Sequence, residues 1–98
     1  MKAHYTEEEA KPKLVFLDGW HFRANGIEKT FTFRDFVDAF SFMTRVAMEA
    51  ERLNHHPDWS NTWNKVHVRL STHEAGGLTD RDFNLAEIIE KRILTKLS

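Results

Sequence analysis

The feature that most constrains this chain is the run from Arg34 to about Leu53. Phe36, Phe40, Met43, Ala47 and Ala50 recur there at spacings of three and four, and Val37, Val46 and Leu53 widen the stripe. Asp38, Arg45, Glu49 and Arg52 fall mostly elsewhere. Such a period belongs to an amphipathic helix whose apolar side faces a core. Thr32 with Asp35 three positions on is predicted to cap its start, with Phe31 stapling against Phe36. A chain of 98 residues that is 41% hydrophobic supports one core, so residues 1–98 are read as a single domain with this stripe on one side of it. Eight Phe and three Trp supply large apolar area for that core.

What the helix packs against is also written locally. WHFRA (20–24) and IEKTFTF (27–33) flank Asn25-Gly26, a dipeptide suited to the positive φ angles of a type I′ hairpin turn. Further on, NTWNKVHVRLSTH (61–73) alternates: Val66, Val68 and Leu70 lie on one side and Lys65, His67, Arg69, Ser71 and His73 on the other. It is predicted as a strand or strand pair. Gly76-Gly77 turns the chain, and Thr79 with Asp82 opens a second long helix with its buried stripe at Phe83, Ala86, Ile89, Ile93 and Leu97. Thr6 with Glu9 marks a short first helix limited by Pro12. The order α-β-β-α-β-β-α predicts an α+β two-layer sandwich, an antiparallel four-stranded sheet with helices on one face. The other face is left for a pocket or a subunit interface.

Composition removes several classes of function. The formal charge is −1, with 14 basic and 15 acidic residues interspersed, so direct nucleic-acid binding is not expected. The absence of cysteine excludes disulfides, thiolate catalysis and cysteine-ligated zinc. No apolar run approaches the roughly 20 residues of a membrane span, and MKAHYTEEEA lacks the apolar centre of a signal peptide. A soluble cytoplasmic protein is the expectation.

Three histidines stand outside the core pattern. His55 and His56 follow Asn54 at the end of the long helix, where Pro57 blocks continuation and favours an extended backbone at His56. His73 sits at the end of the alternating run, on its non-core side. Both junctions can meet at one edge of the sheet, where histidines near neutral pKa can supply an acid and a base together. Bland readings stand beside this one: surface histidines are commonly just solvated, Asp82 suffices as a helix-start residue, Glu51 and Arg81 as solvated helix charges, and Trp59 and Trp63 as packing aromatics. Three histidines and a carboxylate could also hold zinc. The spacing matches no familiar metal pattern, so no metal is expected and direct acid–base use ranks above it.

The run AERLNHHPDWSNTWNKVHVRLSTHEAGGLTDRD closely resembles the signature of the pterin-4a-carbinolamine dehydratase family, a likeness extending from about Trp20 to the C-terminus. Arg52 stands where that pattern has lysine and Trp63 where it has tyrosine. The resemblance implies catalytic residues at His55, His56, His73 and Asp82. It implies pterin contacts at His55-His56-Pro57 and at Thr72-His73-Glu74-Ala75; Trp20 is read as a further contact, and Glu51 and Arg81 as residues supporting the site. The implied reaction is dehydration of 4a-hydroxytetrahydropterin to the quinonoid dihydropterin without an added cofactor. His55 and His73 would exchange protons with the 4a hydroxyl and N5, His56 would orient the pterin, and Asp82 and Glu51 would fix the imidazoles. The resemblance further implies a homodimer or homotetramer. As an alternative role it implies a protein-interaction module, such as a dimerisation cofactor of a homeodomain transcription factor, which would be nuclear in a eukaryote.

Overall fold

The computed structural model describes residues 4–97, and side chains as far as residue 95. Its elements are α1 (Glu7–Leu14), β1 (His21–Arg23), β2 (Gly26–Thr32), α2 (Phe36–Leu53), β3 (Asp58–Thr62), β4 (Lys65–Leu70), a 3₁₀ turn (His73–Ala75), and α3 (Asp80–Ile88). A π turn (Ile89–Ile93) and a last helical turn, α4 (Leu94–Leu97), continue α3. The four strands form one antiparallel sheet in the order β1-β2-β4-β3. This is the expected α+β two-layer arrangement.

The hairpin turn sits one residue earlier than the Asn-Gly signal suggests. Ala24 and Asn25 take the positive φ angles, 47° and 61°, and Arg23 pairs with Gly26 as the first rung of the ladder. Glycine is needed at 26 for a different reason. A Cβ there would lie 2.7 Å from the Arg69 guanidinium carbon, and that guanidinium crosses the strand to donate to the carbonyls of Arg23 (2.7 Å) and Ala24 (2.6 Å).

The alternating run 61–73 resolves into the second hairpin. Trp63, at φ 48°, and Asn64 make its turn, and the Asn61 amide donates to the carbonyls of Trp63 (3.1 Å) and Lys65 (2.9 Å). Register then places Ile27 opposite Leu70, Lys29 opposite Val68 and Phe31 opposite Val66. Ile27, Phe31, Val66, Val68 and Leu70 are buried in the core with helix residues, while Glu28, Thr30, His67 and Arg69 form a polar outer face.

Helix α2 is capped by Asp35, not Thr32: the Asp35 carboxylate accepts from the Asp38 amide at 2.9 Å. Its buried row is Ala39, Phe42, Val46 and Ala50, with Met43 and Leu53 beside it. Phe36, Val37, Phe40 and Ala47 instead lie exposed. The sequence carries two overlapping apolar rows on this helix. The core takes the one containing Phe42, whose ring packs 4.8 Å from Phe31 and 4.9 Å from Phe33 on the sheet side. Phe36 does not staple to Phe31; it packs on Phe40 at 5.7 Å.

The other helices begin as their capping boxes dictate. Thr6 and Glu9 reciprocate side-chain and backbone bonds at the start of α1, and Thr79 and Asp82 do so at α3. Pro12 lies inside α1 and does not end it, at the cost of one backbone bond. Phe83, Ala86, Ile89 and Ile93 are buried as expected, whereas the side chain of Leu97 lies outside the described residues. The π turn directs Glu90 to the Trp20 indole N–H (2.9 Å) and to Lys29 (2.7 Å).

Candidate active site

The site begins with how α2 ends. Asn54 adopts the left-handed conformation (φ 51°, ψ 45°), its N–H reaching the Glu51 carbonyl at 3.2 Å while the His55 N–H reaches back to Ala50 at 3.0 Å. This pair of bonds is a Schellman stop, which Asn tolerates better than other non-glycine residues. It turns the chain so that His55 enters the protein and His56 does not. His55 is 7% exposed, and its Nε2 lies 2.5 Å from Asp82 Oδ1.

Asp82 is fully buried and fully used. Its Oδ2 accepts from the Thr72 hydroxyl at 2.8 Å and from the Thr79 backbone N–H at 2.9 Å, while Oδ1 faces His55. The helix-start role and the histidine-supporting role expected of Asp82 are therefore one arrangement. With the carboxylate as acceptor, His55 donates from Nε2, and its basic lone pair in the neutral ring is on Nδ1.

His56 points the other way, toward solvent. Its Nε2 meets Glu51 Oε1 at 2.9 Å on the surface. His73 opens the 3₁₀ turn after β4 and is exposed; among the described residues its ring has no hydrogen-bond partner. Arg81, on the first turn of α3, donates from Nη2 to the Asn54 carbonyl at 2.5 Å, tying α3 to the end of α2.

These residues surround an open cleft of about 430 Å³, lined by Asn54, His55, His56, Pro57, Asp58, Arg69, Ser71, His73, Glu74 and Arg81. That is within the ~300–1,000 Å³ common for small-ligand sites. The pattern groups His55, His56 and His73, the resemblance adds Pro57 and Glu74, and Arg81 is expected beside them; all six line the cleft. Thr72 is buried behind it and holds Asp82. Glu51 reaches the cleft only through His56. Like Thr72, two more expected pterin contacts, Trp20 and Ala75, do not line it. Trp20 is packed in the core, where its indole N–H serves Glu90, and Ala75 directs its carbonyl to His4 at 3.1 Å.

Asn54, Asp58, Arg69 and Ser71 were not singled out from sequence. A signal existed for two of them, since Arg69 and Ser71 share the outward parity of His73 in the alternating run. Arg69 also binds Glu28 at 2.9 Å, and Glu28 in turn contacts Arg23 (2.6 Å) and His67 (3.1 Å). Burial pushes the Glu28 carboxyl up. The charge of Arg23, hydrogen bonds from Arg69 and Arg23 and the nearby His67 outweigh it and hold the group below the usual glutamate range. Among the described residues no group of three His, Asp or Glu is arranged to hold a metal ion.

Residues 3–92 match the model of the family described as Pterin 4 alpha carbinolamine dehydratase. The chain belongs to this family. A Rhizobium etli protein bearing the pterin-4-alpha-carbinolamine dehydratase name is 47% identical over 100 residues, covering 99% of each chain. One from Rhizorhabdus wittichii with the same name is 51% identical over 87 residues, 87% of this chain and 90% of that one. Among solved structures, a transcriptional coactivator/pterin dehydratase from Brucella melitensis superposes with a TM-score of 0.86 at 40% identity, covering 89% of this chain and 95% of that one. As a pterin dehydratase family member the chain is a lyase by class.

Proposed function

We infer that the protein dehydrates 4a-hydroxytetrahydropterin to quinonoid dihydropterin in this cleft. The observation that carries the reading is the buried His55–Asp82 pair opening onto a cleft whose rim holds His73. In the reaction the C4a–O bond breaks and its electrons leave with oxygen, which takes a proton and departs as water. The N5 proton is removed and its bonding electrons form the N5=C4a double bond. Nothing is oxidised or reduced. One group must donate a proton and another must accept one, and two histidines can do both near neutral pH.

His55 and His73 exchange protons with the 4a hydroxyl and N5. Asp82 holds His55 by Nε2, which leaves the Nδ1 lone pair as the proton-accepting atom and stabilises the ring when it carries charge. His56, steadied by Glu51, orients the pterin at the rim, and Pro57, Glu74 and Arg81 complete the binding wall. The experiment is direct: mix chemically generated 4a-hydroxytetrahydropterin with purified protein and follow absorbance by stopped flow. Dehydration faster than in buffer alone is expected; the buffer rate would sink the reading.

We also propose that the protein works in the cytoplasm as a homodimer or homotetramer. No helix among the described residues is long and apolar enough to cross a membrane. Support for assembly comes from α2, which leaves Phe36, Val37, Phe40 and Met48 between 47% and 69% exposed. The same row favours the alternative role, docking of a regulatory protein, for which the coactivator name of the Brucella neighbour is the precedent.

A further inference from the structure

His73 reaches the cleft from a short turn held by its own backbone, the Ala75 N–H donating to the Thr72 carbonyl and the Gly76 N–H to the His73 carbonyl, each at 3.1 Å. A bridge between Thr72 and Gly77 closes the turn at its base, with N–H···O bonds of 2.9 and 3.2 Å, and Gly76 bends it in the left-handed conformation at φ 76°. At its tip, among the described residues, one hydrogen bond comes from another part of the chain: His4 Nδ1 at 3.1 Å from the Ala75 carbonyl. The imidazole also lies against Gly77, where a Cβ would meet His4 Cδ2 at 2.9 Å and Cγ at 3.0 Å. Tyr5 continues along the same segment. Its N–H donates to the Leu78 carbonyl at 2.8 Å, its hydroxyl donates to Asp80 at 2.5 Å, and its ring packs edge-on against Phe83 at 5.4 Å. Two consecutive residues thus brace the stretch that carries His73, Arg81 and Asp82.

We propose that His4 is a positioning residue for dehydration, acting through His73. The proposal rests on the reading that His73 exchanges protons with substrate. A carbonyl can only accept, so Nδ1 of His4 donates, and the bond persists whether or not the other ring nitrogen carries a proton. His4 is not among the residues that line the cleft. Because the His73 ring has no partner among the described residues, its place in the cleft is set by the backbone of its turn. An error of about 1 Å in a reacting group can cost roughly a hundredfold in rate. Holding the Ala75 carbonyl restrains the tip of the turn against such an error.

The test compares His4→Phe, which keeps a ring against Gly77 but loses the donor, with His4→Asn, whose amide can donate from near the Nδ1 position. Each is measured for kcat and KM in the wild-type and the His73→Ala backgrounds. His4→Phe should lower kcat about tenfold, inside that range, with KM little changed, and His4→Asn should recover most of the loss. In the His73→Ala background His4→Phe should have no further effect, because the group it positions is gone. Wild-type kcat in His4→Phe, or the same fold loss persisting after His73→Ala, would overturn the role of His4 alone. Wild-type kcat in His73→Ala would overturn the proton-exchange reading and this inference with it.

Discussion

At the scale of single residues, Asp82 is the point on which site and fold both depend. Its two oxygens take bonds from His55, Thr72 and Thr79, so a substitution there changes an imidazole and a helix start together. Asp82→Asn keeps the shape but offers one acceptor fewer, and is expected to destabilise by about 1–3 kcal/mol, the range for an unsatisfied buried group. Urea unfolding measures that cost, and kcat should fall in the same variant because the His55 tautomer is no longer fixed. Thr72→Val tests the support more gently: it removes the 2.8 Å bond to Asp82 and is expected to cost about 1 kcal/mol while leaving the fold intact. On the outer face, Glu28 has a lowered native-state pKa set against its burial by Arg23, Arg69 and His67. Its contribution is therefore complete above the unfolded-state pKa and is lost as pH falls through the lower native one. Denaturation measured between about pH 6 and pH 3 should show a loss of stability that Glu28→Gln reduces; an identical pH dependence in the variant would contradict the pairing.

At the scale of elements, type and order were legible in the sequence, and the faces of α2 were not. The capping pairs Thr6/Glu9 and Thr79/Asp82 lie where local chemistry alone decides, and both form as read. The cap of α2 falls at Asp35 and its buried row at Ala39, Phe42, Val46 and Ala50, because contact with Phe31 and Phe33 selects between two apolar rows that periodicity cannot rank. The hairpin turn lies at Ala24-Asn25, where Arg69, distant in sequence, bonds the Arg23 and Ala24 carbonyls and occupies the space over Gly26. Gly26→Ala is therefore expected to displace a flexible guanidinium more than the backbone, costing about 1 kcal/mol through lost Arg69 bonds. A thermal midpoint unchanged from wild type would contradict that clamp. For the site, the three histidines and Asp82 were legible because the motif is contiguous or lies at element ends. Trp20 was misplaced, since an aromatic near a strand start gives no sign of whether it faces cleft or core. It faces the core, held by Glu90 from the π turn.

At the scale of the whole molecule, one sheet face and one helix flank are left without cover by the described residues. The apolar row of Phe36, Val37, Phe40 and Met48 is the surface expected to bury itself between copies. Sedimentation equilibrium should give a dimer or tetramer mass for the native protein and a smaller one for Phe40→Glu; a monomer mass for native protein at micromolar concentration would contradict assembly. The cleft lies elsewhere, at the junction of the α2 end, β3, β4 and the α3 start, so all of these elements must fold before His55 and His73 can face one substrate. The measurement that bears most directly on this account is kcat for dehydration of 4a-hydroxytetrahydropterin by the native protein and by His55→Ala. A fall of about 10²–10⁴-fold is expected, the span of positioned acid–base catalysis. A kcat equal to that of the native protein would contradict it.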